Sequence, residues 1–277
     1  GLISPRSVVR SHFPLPKNMA NAKEVKSNIF KKGIKRIFEL FNYEIKRKNN
    51  FNDRYSNFIA EADNQTRRDL DKFEKICLAS KLNLWSIIKC IEHLKNENID
   101  GDFVECGVYN GATIAFIANN LIKNSLEKNI WGFDTFEDGF IEKTYHKNDV
   151  DLKQTKMTYK KDSSFYFTIN EVKKNIKENT EYDFKKINLI QGNIIETLDN
   201  EENLPKKISF LRLDTDLYLT TKKQLEILYP RLNRGGILHI DDYGFFSGVR
   251  KAVDEYFQNK KIWLHRVDMT CRYLIKN

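Results

Sequence analysis

The chain is poor in the residues that would make it a stapled, repetitive or membrane-spanning protein. Among 277 residues there are four cysteines, five prolines and twelve glycines. Cys77, Cys90, Cys106 and Cys271 show no CxxC spacing and lie in apolar runs, so they read as reduced core residues rather than bridges or metal ligands. No apolar run approaches the roughly 20 residues that a helix needs to cross a bilayer. Residues 1–20 lack the apolar centre of a secretory signal, and the expected location is cytoplasmic. A GxGxxG fingerprint is missing, which counts against a dehydrogenase. No internal repeat is present, which excludes solenoids and propellers.

What is present points to a folded core. A hydrophobic fraction of 40 %, with 12 Tyr and 19 Phe, excludes a disordered chain. The net charge of +9 is uneven. Lys31, Lys32, Lys35, Arg36, Lys46, Arg47 and Lys48 crowd one segment, and more lysines follow through 147–186. Such a surface could meet nucleic acid, an anionic membrane or a phosphorylated substrate. The run has no interleaved aromatics and no RNA-binding signature, so solvated basic faces are the favoured reading and nucleic acid is disfavoured.

The pattern along the chain divides it in three. Met19 lies inside the chain, and residues 1–24 read as a leader or disordered segment. Residues 25–98 read as a helical extension. Its first helix, over 25–48, is basic and amphipathic, and two more cover 66–80 and 83–96, the last with Asn83 as a candidate N-cap. From 99 to 277 strands alternate with helices: strands at 103–108, 130–134 and 187–192, helices at 112–124, 164–179 and 248–258, and a closing pair at 262–267 and 272–275. That alternation predicts an α/β fold with a mostly parallel sheet and one antiparallel edge strand. Residues 138–162 are polar, lysine-rich and without period, the profile of a lid-like loop.

The chemistry gathers at strand ends. Leu211-Arg212-Leu213-Asp214 and Gly235-Gly236-Ile237-Leu238-His239-Ile240-Asp241-Asp242 read as two buried strands, each delivering carboxylates at its C-terminal end. Ligands of open α/β sheets bind outside those ends. Three carboxylates there suit a hard divalent cation, although each Asp could instead cap the helix that follows. Glu105-Cys106-Gly107-Val108-Tyr109-Asn110-Gly111 occupies the first strand-to-helix turn, where glycine lets a ligand approach the backbone. Gly107 and Gly111 could also be simple turn glycines. Glu105 would repel a pyrophosphate and suit an ammonium group, and Asp134 stands where an acid meets ribose hydroxyls. A nucleoside linked to an amino acid, such as S-adenosylmethionine, fits that pair.

These motifs resemble the macrocin O-methyltransferase (TylF-type) family. The resemblance runs over roughly 100–258: Gly101-Asp102-Phe103-Val104-Glu105-Cys106-Gly107-Val108 with Gly111, Asp134-Thr135-Phe136, Gly192 with Glu196-Thr197-Leu198, and Asp214-Thr215-Asp216-Leu217-Tyr218 with Thr221. Leu228-Tyr229-Pro230-Arg231-Leu232, Gly235-Gly236 and Asp241-Asp242-Tyr243 with Gly248, Arg250, Ala252, Val253 and Asp254 complete it. It implies a Rossmann-like class I methyltransferase domain using S-adenosylmethionine and Mg2+ on sugar hydroxyls of glycosylated metabolites. By that resemblance Glu105, Gly107, Val108, Tyr109, Asn110, Thr113, Asp134, Thr135, Phe136, Gly192, Asn193 and Asp214 surround the cofactor, with Phe136 against adenine. Asp214, Asp241 and Asp242 hold the metal, and Asp214 doubles as the base. Ala112 replaces a usual glycine, Thr113 a common serine, and Asn193 an acid or aromatic.

Asp216 and His239 are fallback bases, His146 of the lid-like loop is a candidate acceptor contact, and Tyr243 with Phe245-Phe246 could wall the acceptor site. His93 and His265 read as ordinary polar positions. The acceptor could alternatively be a phosphorylated or nitrogenous metabolite, or RNA met by the basic helix. The N-terminal helices could pair protomers into a homo-oligomer.

Overall fold

The computed structural model describes residues 58–151 and 166–277. The leader, the basic helix of 25–48 and part of the lid-like loop lie outside the described residues. In chain order the elements are α1 (Asn64–Phe73), α2 (Lys81–Asn96), β1 (Asp102–Cys106), α3 (Ala112–Lys123), β2 (Ile130–Asp134), α4 (Ile169–Asn179) and β3 (Ile187–Gln191). There follow α5 (Ile194–Thr197), β4 (Ile208–Leu213), α6 (Tyr218–Ile227), β5 (Leu232–Ile240), α7 (Ser247–Phe257), β6 (His265–Arg266) and β7 (Arg272–Ile275).

Among the described residues seven strands form one sheet in the order β3-β2-β1-β4-β5-β7-β6. The first five run parallel, and β7 runs antiparallel to both β5 and β6. The expected reversed strand is therefore β7, one place in from the margin. Strand alternation splits the central strands between two cores. Phe103, Phe210 and Ile237 pack with α1 to α4 on one face, whereas Val104, Leu211 and Leu238 pack with α5, α6 and α7 on the other. Burying one such large side chain contributes about 1.5–3 kcal/mol, so both covers stabilise the sheet. The strand order changes direction between β1 and β4, the switch point where open sheets bind ligands.

The helix over 81–96 packs on this core through Leu84, Ile87, Ile91 and Leu94. Its N-cap is Ser80, whose side chain accepts from Asn83 N at 3.1 Å. The expectation of Asn83 as the cap is corrected: an Asn three residues into the helix is free to point elsewhere, and this one is buried and turned to the sheet.

Part of the segment read as a lid, residues 138–151, is anchored. Asp149 is fully buried and accepts from Tyr218 N at 2.8 Å, capping α6. Ser247 at the start of α7 donates from its backbone to Val150 O at 2.9 Å. Burial pushes the Asp149 carboxyl up, against the backbone donors of Tyr218 and His146. Asp149→Ala is expected to lower unfolding free energy by about 1–3 kcal/mol, read from denaturant midpoints, because it orphans the buried amide of Tyr218 and the half-buried amide of His146.

Candidate functional site

The parallel strands bring the predicted loops to one rim. A cleft of about 370 Å3 opens there, lined by Gly107, Val108, Tyr109, Asn110 and Thr113 from the β1–α3 turn. Asp134, Thr135 and Phe136 line it from the end of β2, Gly192 and Asn193 from β3, and Asp214, Thr215 and Asp216 from β4. Asp241 and Asp242 follow β5. Of the twelve residues expected around a cofactor, Glu105 alone is off the wall. It is 1 % exposed and lies beneath the cleft floor.

The turn is shaped by backbone conformations that side chains disfavour. Gly107 has φ +90°, and a Cβ on it would stand 1.7 Å from Asp214 O. Tyr109, Phe136 and Asp216 adopt left-handed φ of 53°, 53° and 62°, a strain that the surrounding contacts must hold. Asp134 supplies much of that hold. One carboxylate oxygen accepts from Val108 N at 2.6 Å and Tyr109 N at 2.9 Å, and the other from Phe136 N at 2.7 Å. The oxygen bonded to Phe136 N keeps a second lone pair for a hydroxyl in the cleft, whereas the other is filled by its two amides. Asn193 caps α5 by accepting from Ile195 N at 3.2 Å.

Arg212, which the sequence reading passed over, organises the acidic end. Glu105, Arg212 and His239 are paired in one row across β1, β4 and β5. From that row Arg212 Nη1 donates to Glu105 at 2.8 Å and to Asp214 at 2.5 Å, and Nη2 donates to Asp241 at 3.0 Å. Burial opposes a charged guanidinium, but Asp214, Asp241 and Glu105 outweigh it and hold Arg212 well above its usual range. The available signal was a charged side chain inside the run Phe210–Leu213, two residues from Asp214 and so on the same face.

The carboxylates crowd one another. Asp214, Asp216 and Asp242 bring ligand oxygens within 4.8 Å of one another. Asp241 stands behind them, bonded to Arg212 and to Asn83 Nδ2. Asp241 also lies within hydrogen-bonding reach of Asp214, and Asp242 of Asp216. Burial and these like-charged neighbours push Asp241 and Asp242 up, and burial pushes Asp216 up to about 6. One oxygen of Asp242 is buried without a partner. Five carboxyl groups thus gather near one guanidinium, and three of them are bonded to it.

Other candidates fall away from the cleft. His239 is fully buried between Ser86 Oγ at 3.0 Å and Cys271 Sγ at 3.3 Å, and burial pushes it down to about 3. His146 stacks on Tyr218 with ring centroids 4.7 Å apart, and Tyr243 donates to Asp254 at 2.7 Å. Neither they nor Phe245 and Phe246 line the cleft. His93 bonds Gly235 O, and His265 lies between the rings of Trp263 and Tyr273. The four cysteines are free and buried. The second wall, Cys77–Ala79 with Phe140, Ile141, Tyr166 and Phe167, had no signature in sequence.

The family model described as macrocin-O-methyltransferase (TylF) matches residues 21–276. The chain is 28 % identical over 217 residues to a demethyldecarbamoylnovobiocin O-methyltransferase of Streptomyces niveus, covering 75 % of this chain and 76 % of that protein. It is 27 % identical over 169 residues to a mycinamicin III 3''-O-methyltransferase of Micromonospora griseorubida, 60 % of this chain and 64 % of the relative. Among solved structures, the O-methyltransferase NovP superposes with a TM-score of 0.62 at 24 % identity, over 72 % of this chain and 81 % of that one. The calicheamicin methyltransferase CalS11 gives 0.54 at 20 % identity, over 79 % and 95 %. At these identities the structural likeness speaks to the fold.

Proposed function

From the premise that this chain belongs to the macrocin O-methyltransferase (TylF) family, we propose that it transfers the methyl group of S-adenosylmethionine to a hydroxyl of a sugar or sugar-bearing small molecule. The observation that carries this reading is the continuity of one cleft from the glycine turn of β1 to the carboxylates after β4 and β5. The relatives' names, which give demethyldecarbamoylnovobiocin and mycinamicin III as acceptors, support a sugar-bearing natural product.

The cofactor half of the cleft would take the nucleoside between Asp134, Phe136 and Asn193, with Gly107 admitting the amino-acid end to the backbone. A divalent cation fits the other half on the chemistry of its donors. Like-charged carboxylates in contact need a proton or a cation between them, and the orphaned Asp242 oxygen offers a ligand atom. The family resemblance gives the cation to Asp214, Asp241 and Asp242, and leaves for the proton Asp216, whose oxygen also lies within 4.8 Å of those of Asp214 and Asp242. The oxygens of Asp241 that meet Arg212 and Asn83 each retain a lone pair. A bound cation would acidify and orient an acceptor hydroxyl.

The transfer balances without an acid. Bound S-adenosylmethionine would supply the methyl group, its C–S electron pair remaining on sulfur, and a carboxylate of the site would take the proton of the acceptor hydroxyl. Asp214 has an oxygen already held by Arg212 Nη1. Among the described residues Asp216 has no such bond to a cationic side chain, so the proton is assigned to Asp216 in place of Asp214.

Saturating S-adenosylhomocysteine is expected to raise the melting temperature by about 5–10 °C at a hundredfold excess over Kd. Mg2+ or Mn2+ should add to that shift and EDTA should remove the addition. No shift with the cofactor product would sink the methyltransferase reading. A shift indifferent to metal and chelator would sink the cation alone.

A further inference from the structure

Arg212 lies at the centre of the acidic end yet has no part in the chemistry above. Its two terminal nitrogens reach three carboxylates delivered by three different strands: Glu105 of β1, Asp214 after β4 and Asp241 after β5. Arg212 and Glu105 are each 1 % exposed, so this contact is permanent rather than a surface encounter. Arg212, Asp214 and Asp241 reach the cleft wall, whereas Glu105 does not. A guanidinium is a planar fork that can bridge several acceptors in fixed directions, which a single ammonium cannot do. Glu105 holds the fork from below, on the side away from the cleft. Asn83 of α2 holds Asp241 from a second direction.

We propose that Arg212 is a positioning residue that, braced by Glu105, aims the Asp214 and Asp241 carboxylates at a shared divalent cation. This inference rests on the cation reading above. It reassigns Glu105 from a cofactor contact to the brace of the fork, since its carboxylate meets Arg212 and not the cleft. It also explains why an arginine is tolerated in the middle of a strand whose other residues are buried on both faces.

The test uses the cofactor-free full chain, with Mn2+ titrated by calorimetry and counted by electron paramagnetic resonance. Arg212→Lys keeps the positive charge and loses the fork. It is expected to weaken Mn2+ binding on the order of 10- to 100-fold, the usual cost of losing an outer-shell partner, with S-adenosylhomocysteine affinity within about threefold. A merely structural role would lower both affinities together with stability. Should Arg212→Lys fold poorly, Glu105→Gln replaces the brace's carboxyl group by an amide and should shift Mn2+ affinity in the same direction by a smaller factor. Wild type that binds no Mn2+ would overturn the cation reading. Wild type and Arg212→Lys binding Mn2+ equally would overturn this inference and leave that reading standing.

Discussion

Asp216→Asn is expected to lower kcat by about 10²- to 10⁴-fold while leaving S-adenosylhomocysteine and Mn2+ affinities within about threefold, the pattern of a lost general base. Three features single out this carboxylate. It lies two residues further beyond β4 than Asp214, its backbone is held at a left-handed φ of 62°, and among the described residues it has no bond to Arg212, as Asp214 does. Asparagine tolerates that backbone region better than most residues, so the variant removes the proton acceptor without moving the chain. Its amide could even keep a hydrogen bond to Asp242. The discriminating comparison is Asp214→Asn, which should lose Mn2+ affinity as well as turnover, because it removes a cation ligand and a partner of Arg212. Single-turnover rates in saturating methyl donor would measure both. An Asp216→Asn enzyme with near-normal turnover would return the proton to Asp214.

Gly107→Ala should destabilise the fold by about 2–5 kcal/mol and abolish measurable cofactor binding. Two costs add. The residue adopts φ +90°, which an L side chain avoids, and the new methyl would lie 1.7 Å from the carbonyl oxygen of Asp214. Neither can relax cheaply, because Gly107 N is bonded to Phe133 O at 2.8 Å and Asp214 N to Cys106 O at 2.8 Å. Relief would require prising β4 from β1 at the ligand-binding end. Gly192→Ala is the control. It also has a positive φ, but its methyl would meet only Thr197 Cγ2 at 2.9 Å, a side chain that can turn. Denaturant midpoints and calorimetric titration should rank Gly107→Ala as much the more damaging. Equal effects would mean that backbone strain, not the approach of Asp214, sets the requirement for glycine.

The parallel sheet was legible because its strands are short apolar runs separated by helical periodicity, a local signal that Ile130–Asp134 and Ile187–Gln191 carry plainly. The rim was legible for the same reason: a carboxylate ending such a run can only project from the strand's C-terminal end. What escaped depends on neighbours distant in sequence. Arg212 reads as a stray charge until β1 is laid beside β4 and Glu105 meets it. The inward attachment of Asp241 needs Asn83, 158 residues earlier, and nothing in that asparagine's local helix says so. Ser80 won the cap over Asn83 because the helix begins three residues sooner than its apolar stripe. The aromatic wall of Tyr166 and Phe167 comes from an irregular stretch whose periodicity carries no message.

The helix over 81–96 has a practical bearing for anyone trimming this protein. Asn83 fastens Asp241, Ser86 fastens His239, and Ser80 fastens Asp268. A fragment beginning at Gly101 would retain every strand and every motif, yet the uncovered face of the sheet would be greasy and the acidic rim untethered. Such a truncation should come out of the cell as inclusion bodies, and the smallest soluble catalytic piece has to start before Asp63, the cap of the preceding helix.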